Sequence, residues 1–114
     1  MAQSPSSYRH AVSNYVRALK ENGVQVQQIL LYGSYARKEA HADSDIDIIV
    51  LSDSFAGKNL LERLQILGLA RRKVPEPVQA YGFTPQEVQQ RELSAFWEEI
   101  VENEAIPITN EVLP

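Results

Sequence analysis

Residues 31–51 read LYGSYARKEAHADSDIDIIVL, and the order of residue types in this stretch sets the architecture. It starts at the end of an apolar, β-forming run, residues 26–32. Gly33-Ser34 follows at once, and residues 35–40 suit a short helix. His41 to Ser44 is a polar turn. Residues 45–51, DIDIIVL, begin in strict alternation and then become wholly apolar, the pattern of a strand buried in the middle of a sheet. Two strands joined through a glycine-serine turn and a short helix place this chain among α/β (α+β) folds.

The same stretch carries the chemistry. Gly33 has no Cβ, so a ligand can approach its backbone closely. Ser34 would open the short helix, where unpaired N–H groups favour a phosphate and its hydroxyl can add a hydrogen bond. Arg37, one turn on, either contacts a phosphate or braces the acidic loop at Asp43 or Asp45. Asp45 and Asp47 are two apart in a strand, so they share a face, roughly 6.6 Å apart along the backbone. Two carboxylates that close repel each other unless a cation lies between them. Mg2+, or Mn2+ in its place, suits all-oxygen ligands and also binds substrate phosphates. Ile46 and Ile48 point the other way and anchor the strand.

Outward from this centre, Ser4-Pro5 reads as a cap and first helical residue, and Tyr8, Ala11, Val12, Tyr15 and Leu19 recur at helical spacing up to Asn22-Gly23. Residues 58–72 carry Leu60, Leu61, Leu64 and Leu67 on one helical face. Residues 74–77 contain two prolines and are extended, and residues 78–83 form a third strand, suited to an edge. Thr84-Pro85-Gln86-Glu87 is a capping box that opens one helix or two short ones, through Val88, Leu93, Phe96, Trp97 and Ile100 to about residue 103. The tail, residues 106–114, has two prolines and no period. No internal repeat is visible. The expectation is a small mixed β-sheet flanked by helices, one domain over residues 1–114.

Composition narrows the function. The chain has 114 residues, no cysteine and a net charge of -4. No disulfide framework or thiolate metal site is available, and a reducing cytoplasm is the natural setting. No apolar run is long enough for a membrane span, and the first residues lack a signal-peptide core. The acidic balance argues against a broad nucleic-acid surface, which needs clustered positive charge. A chain this short is open to completion by a partner or by a second copy of itself, with Phe96, Trp97 and Ile100 as the apolar surface. Several other residues read as structural. His10 and His41 lack metal-ligand spacing and belong on the surface. Asp43 and Asp53 are solvated turn residues, and Ser44 holds the turn before Asp45. Arg71-Arg72-Lys73 complements a helix C-terminus.

The segment GSYARKEAHADSDID resembles the glycine-serine and paired-aspartate signature of the DNA polymerase β-like nucleotidyltransferase superfamily, and within it the minimal nucleotidyltransferases paired with HEPN-domain toxins. The resemblance implies a polymerase β-like fold. It also implies transfer of a nucleoside monophosphate from a triphosphate such as ATP to a hydroxyl, in the toxin pairs a tyrosine of the HEPN partner. Carried over, Gly33, Ser34 and Arg37 bind phosphate, and Asp45 and Asp47 are the catalytic metal ligands. The family pattern places a third carboxylate on the strand before the last helices. Registering on Phe83-Thr84-Pro85 puts Gln79 there, with Glu76 as the alternative. Two functions therefore stand side by side. One is a metal-dependent nucleotidyltransferase. The other is a weak or inactive nucleotide-binding antitoxin that neutralises its partner by docking.

Overall fold

The computed structural model describes residues 8–113; the expected helix start at Ser4-Pro5 lies outside them. Helix α1 (Tyr8–Glu21) leads into β1 (Gln28–Tyr32), α2 (Gly33–Ala36) and β2 (Ile46–Leu51). After a single 3-10 turn come α3 (Leu60–Arg71), β3 (Val78–Phe83), α4 (Pro85–Gln89), α5 (Ala95–Asn103), β4 (Ile106–Pro107) and α6 (Thr109–Val112). The strands form one mixed sheet in the order β3-β2-β1-β4, with β2 parallel to β3 and antiparallel to β1. This is the α+β arrangement of a small mixed sheet flanked by helices. No helix among the described residues is long and apolar enough to cross a membrane.

Side-chain alternation splits the sheet into two packed faces. On the first, Ile29, Leu31, Ile46, Ile48, Val50 and Val78 meet α1 and α3 through Val12, Tyr15, Leu19 and Leu67. On the second, Leu30, Ile49 and Leu51 meet α4 and α5 through Val88, Trp97 and Ile100. Each fully buried aliphatic side chain contributes roughly 1.5–3 kcal/mol, so β2, apolar on both faces beyond Asp47, is the anchor of the sheet.

Both helix boundaries that follow β3 come from capping. Thr84 accepts from the Glu87 N–H while Glu87 accepts from the Thr84 N–H, with Pro85 at the first helical position. Ser94 caps α5, and the segment is two short helices. Arg63 ties these parts together. It donates to the Gly82 carbonyl at 3.1 Å and to both Glu87 oxygens at 2.8 and 3.0 Å, joining α3, β3 and α4.

Three expectations change. Of the four α3 leucines only Leu67 is buried, together with Arg63 and Ala70, while Leu60, Leu61 and Leu64 are exposed. Arg63 is tolerated on the inner face because Lys58, Gly82 and Glu87 supply acceptors for its guanidinium. The tail is structured: β4 pairs with β1, and Ile108 and Val112 sit in the first core. Pro107 is tolerated because a two-residue edge strand needs few donors. The short helix is α2 at residues 33–36, one turn that starts at Gly33 itself, and residues 37–40 lie beyond it.

Candidate active site

The site is built where β1 ends and β2 begins. Asp47 lies in β2 between Tyr32 of β1 and Gln79 of β3, each its direct partner in register. Registered neighbours in a sheet point to the same face, so Tyr32, Asp47 and Gln79 form one row across the second face. Asp45, one residue before β2, is exposed at the rim. It is held there by the turn in which the Ser44 N–H donates to the His41 carbonyl and the His41 N–H to Ser44 Oγ, both at 2.9 Å.

Gly33 lies against Asp47. Its φ is +75°, and a Cβ placed on it would come within 2.2 Å of Asp47 Oδ2 and 3.0 Å of Cγ. Glycine is required twice over, by the left-handed backbone and by the carboxylate against it. The glycine of the turn and the second aspartate of the pair are thus in direct contact.

The electrostatics are those of crowded negative charge. The Asp47 carboxyl is held above its usual range, first by partial burial, then by the like charge of Asp45, with Glu104 adding and Arg37 opposing. The Tyr32 phenol is pushed up by burial and by Asp47. A group left in this condition gains from a nearby cation. Among the described residues no cluster of three or more His, Cys, Asp or Glu could hold an ion alone. Asp47, with the Gln79 amide beside it in register and Asp45 one residue before the strand, could hold an ion only if ligand oxygens completed the sphere. That is the manner of Mg2+, which rarely has an all-protein cage.

The other expected residues fall as follows. Ser34 is half-buried in α2. Arg37 does not brace Asp43 or Asp45. It donates to Glu39 Oε1 at 3.0 Å and to Glu104 Oε1 at 3.2 Å. The Gly33 N–H is not free, since it donates to Glu104 Oε2 at 2.8 Å. Glu76 is outside the row. It lies with Gly68, Arg71 and Arg72 around a groove at the end of α3, one carboxylate oxygen buried without a partner. His10, His41, Asp43 and Asp53 are exposed. Phe96 is exposed, and Trp97 is the hub of a cluster with Tyr32, Tyr81, Phe83 and Phe96, ring centroids 4.7–5.5 Å away.

Sequence reasoning missed Glu104 entirely. It follows α5 in a stretch with no motif, and nothing local marks it as a partner of Gly33. It also missed the aromatic cluster, although Tyr81 and Phe83 occupy alternate strand positions that point to one face.

This geometry has counterparts. A protein from Sulfolobus solfataricus assigned as a nucleotidyltransferase superposes with a TM-score of 0.62 at 14% identity, over 93% of this chain and 87% of that one. A toxin–antitoxin structure with AMP-PNP gives 0.58 at 22% identity, over 85% and 71%. A mutant of the toxin–antitoxin pair MntA–HpeT gives 0.52 at 22% identity, over 81% and 66%. At these identities the likeness establishes the fold. A sequence comparison with curated proteins returned no match. The sequence profile of the nucleotidyltransferase domain matches residues 12–108, which is most of the chain and includes every residue of the site, so the protein belongs to the nucleotidyltransferase domain family.

Proposed function

We propose that the domain binds a nucleoside triphosphate such as ATP through Mg2+ or Mn2+ on Asp45 and Asp47, and that it works as the antitoxin of a HEPN-type toxin. The observation that carries the reading is the contact between Gly33 and Asp47, with room for no Cβ between them. It joins the glycine of the glycine-serine turn to a carboxylate in need of a cation. The likeness to a toxin–antitoxin structure with AMP-PNP supports the ligand class and a toxin–antitoxin setting. Absence of cysteine fits a cytoplasmic setting.

In the transfer reaction, a hydroxyl oxygen of the acceptor, a tyrosine of the partner, bonds to the α-phosphorus. The bond from that phosphorus to the pyrophosphate oxygen breaks, and pyrophosphate leaves. The divalent ion, when bound, supplies positive charge to the phosphate oxygens and to the leaving group. Asp45 and Asp47 would orient the triphosphate by holding that ion. Arg37 would neutralise a phosphate oxygen, and Ser34 would hydrogen-bond another. The acceptor proton needs a base, and Gln79, beside Asp47 in register, is neutral.

That one position favours the second reading, a nucleotide-binding antitoxin with feeble transfer that neutralises its partner by docking. The exposed leucines of α3, Leu60, Leu61 and Leu64, are the surface such a partner would cover. Incubation with α-labelled ATP, magnesium and the protein encoded beside it tests both readings, using native protein and Gln79→Asp. Weak native transfer that rises in Gln79→Asp supports a site lacking its third carboxylate. Strong native transfer that Gln79→Asp does not raise removes the docking-only reading.

A further inference from the structure

We infer that Glu104 is the resident anion of the phosphate-binding corner, and that a triphosphate binds by displacing it. The inference rests on the nucleotide reading above and adds to it a residue that the sequence signature does not contain.

Besides the Ser34 hydroxyl, two groups at this corner can hold a phosphate oxygen, the Gly33 N–H and the Arg37 guanidinium. Both are engaged by one carboxylate. Glu104 Oε2 accepts from the Gly33 N–H at 2.8 Å, and Oε1 accepts from Arg37 at 3.2 Å. A carboxylate spanning a backbone N–H and a guanidinium makes the contacts that two phosphate oxygens would make. Glu104 is aimed there by its place in the chain. It ends α5, its own N–H and that of Ala105 both donate to the Ile100 carbonyl, and Ile106 then joins the sheet beside Leu31. Its side chain is largely covered, with 28% exposed.

Charge decides between sharing and exchange. Glu39 and Glu104 already pair with the one arginine of the corner, and Asp47 lies against Gly33 beside them. A divalent ion at the aspartates would offset only part of the charge on the triphosphate. It leaves nothing for a further carboxylate at the same donors, so Glu104 must leave when phosphate arrives. Until then it satisfies a buried N–H and keeps Gly33 in place against Asp47.

The test titrates inorganic tripolyphosphate, and separately ATP, each with magnesium, into native protein, Glu104→Gln and Glu104→Ala. The Gly33 amide and the Glu104 carboxyl carbon are followed by NMR. Removal of the competing charge is expected to tighten tripolyphosphate about tenfold in both variants, a difference of ~1.4 kcal/mol. In native protein the Glu104 carboxyl resonance is expected to move together with the Gly33 amide as ligand is added. Native binding with an affinity unchanged or weakened in both variants overturns the inference and leaves the nucleotide reading standing; weakening would make Glu104 a holding ligand. A Glu104 resonance that stays fixed while Gly33 moves overturns it in the native protein, whatever the variants do. If neither native protein nor either variant binds tripolyphosphate or ATP, the nucleotide reading itself fails and this inference goes with it.

Discussion

Substitution of Gly33 by alanine probes the join between the two halves of the site. The new Cβ meets two obstacles. The first is the backbone, since φ is +75°, and a non-glycine residue in the left-handed region costs about 1–2 kcal/mol. The second is Asp47, whose Oδ2, Cγ and Cβ would lie 2.2, 3.0 and 3.2 Å from the methyl carbon. The oxygen can swing away, but Cγ and Cβ can move only if the whole side chain or the strand gives, and such overpacking costs about 1–3 kcal/mol. Gly33→Ala should therefore destabilise the protein by about 2–5 kcal/mol. Gly23→Ala is the control. Gly23 has φ +88° after α1, and a Cβ there would meet nothing within 4 Å, so it incurs the backbone cost alone. Urea denaturation of both variants, and of each in an Asp47→Ala background, isolates the Asp47 contact as a coupling. The excess of Gly33→Ala over Gly23→Ala should shrink when Asp47 is alanine. Equal costs for the two glycines, with no coupling to Asp47, would refute the packed join on which the site depends.

Other perturbations have definite outcomes. Asp47→Asn should raise stability at neutral pH in the absence of divalent ions while weakening magnesium-triphosphate binding. The folded state raises this carboxyl chiefly by burial, so its ionised form opposes folding, and the stability gain should fade as pH drops through the carboxylate range. Equal native and variant stabilities at pH 7 in a chelator would contradict this. Glu87 behaves in the opposite sense. Its carboxyl is held below the usual range, first by hydrogen bonds from Arg63. Its contribution is complete above the unfolded value and is lost as pH falls through the lower folded value. Glu87→Gln should cost about 1–3 kcal/mol at pH 7, and denaturation at pH 7 and pH 3 should show the difference between variant and native shrinking in acid. Leu61→Glu, at a side chain 64% exposed, should change stability by less than about 0.5 kcal/mol yet weaken capture of the toxin partner in a pull-down. Unimpaired capture would move the docking surface off α3.

The central strand, the glycine-serine turn and the aspartate pair are legible because their patterns are local. Alternation in residues 45–51 reports the two faces of β2, and Thr84-Pro85-Gln86-Glu87 contains its own cap. Gln79 at the third-carboxylate position follows from the family resemblance registered on Phe83-Thr84-Pro85, and its pairing with Asp47 comes from the fold. The features that sequence misses are decided at long range. Leu60, Leu61 and Leu64 have core spacing, but Arg63 takes the inner face because Gly82, Glu87 and Lys58 supply its acceptors. The tail has no period, yet Ile106 and Pro107 complete the sheet beside β1. Glu104 pairs with Gly33 and Arg37 from far along the chain, and no spacing rule reaches that distance. In sequence, Asp43 and Asp45 are natural acids for Arg37 to brace, whereas the fold supplies Glu104.

The measurement that bears most directly on the proposed site is calorimetric titration of ATP into the native protein with magnesium and with a chelator, repeated for Asp45→Asn and Asp47→Asn. Asp45 and Asp47 repel a triphosphate unless an ion lies between them, so binding should be clear with magnesium, near absent in chelator and strongly weakened in both variants. Equal affinity with and without the ion, or affinity untouched by either substitution, would contradict the claim that these two aspartates hold a metal-bound nucleotide.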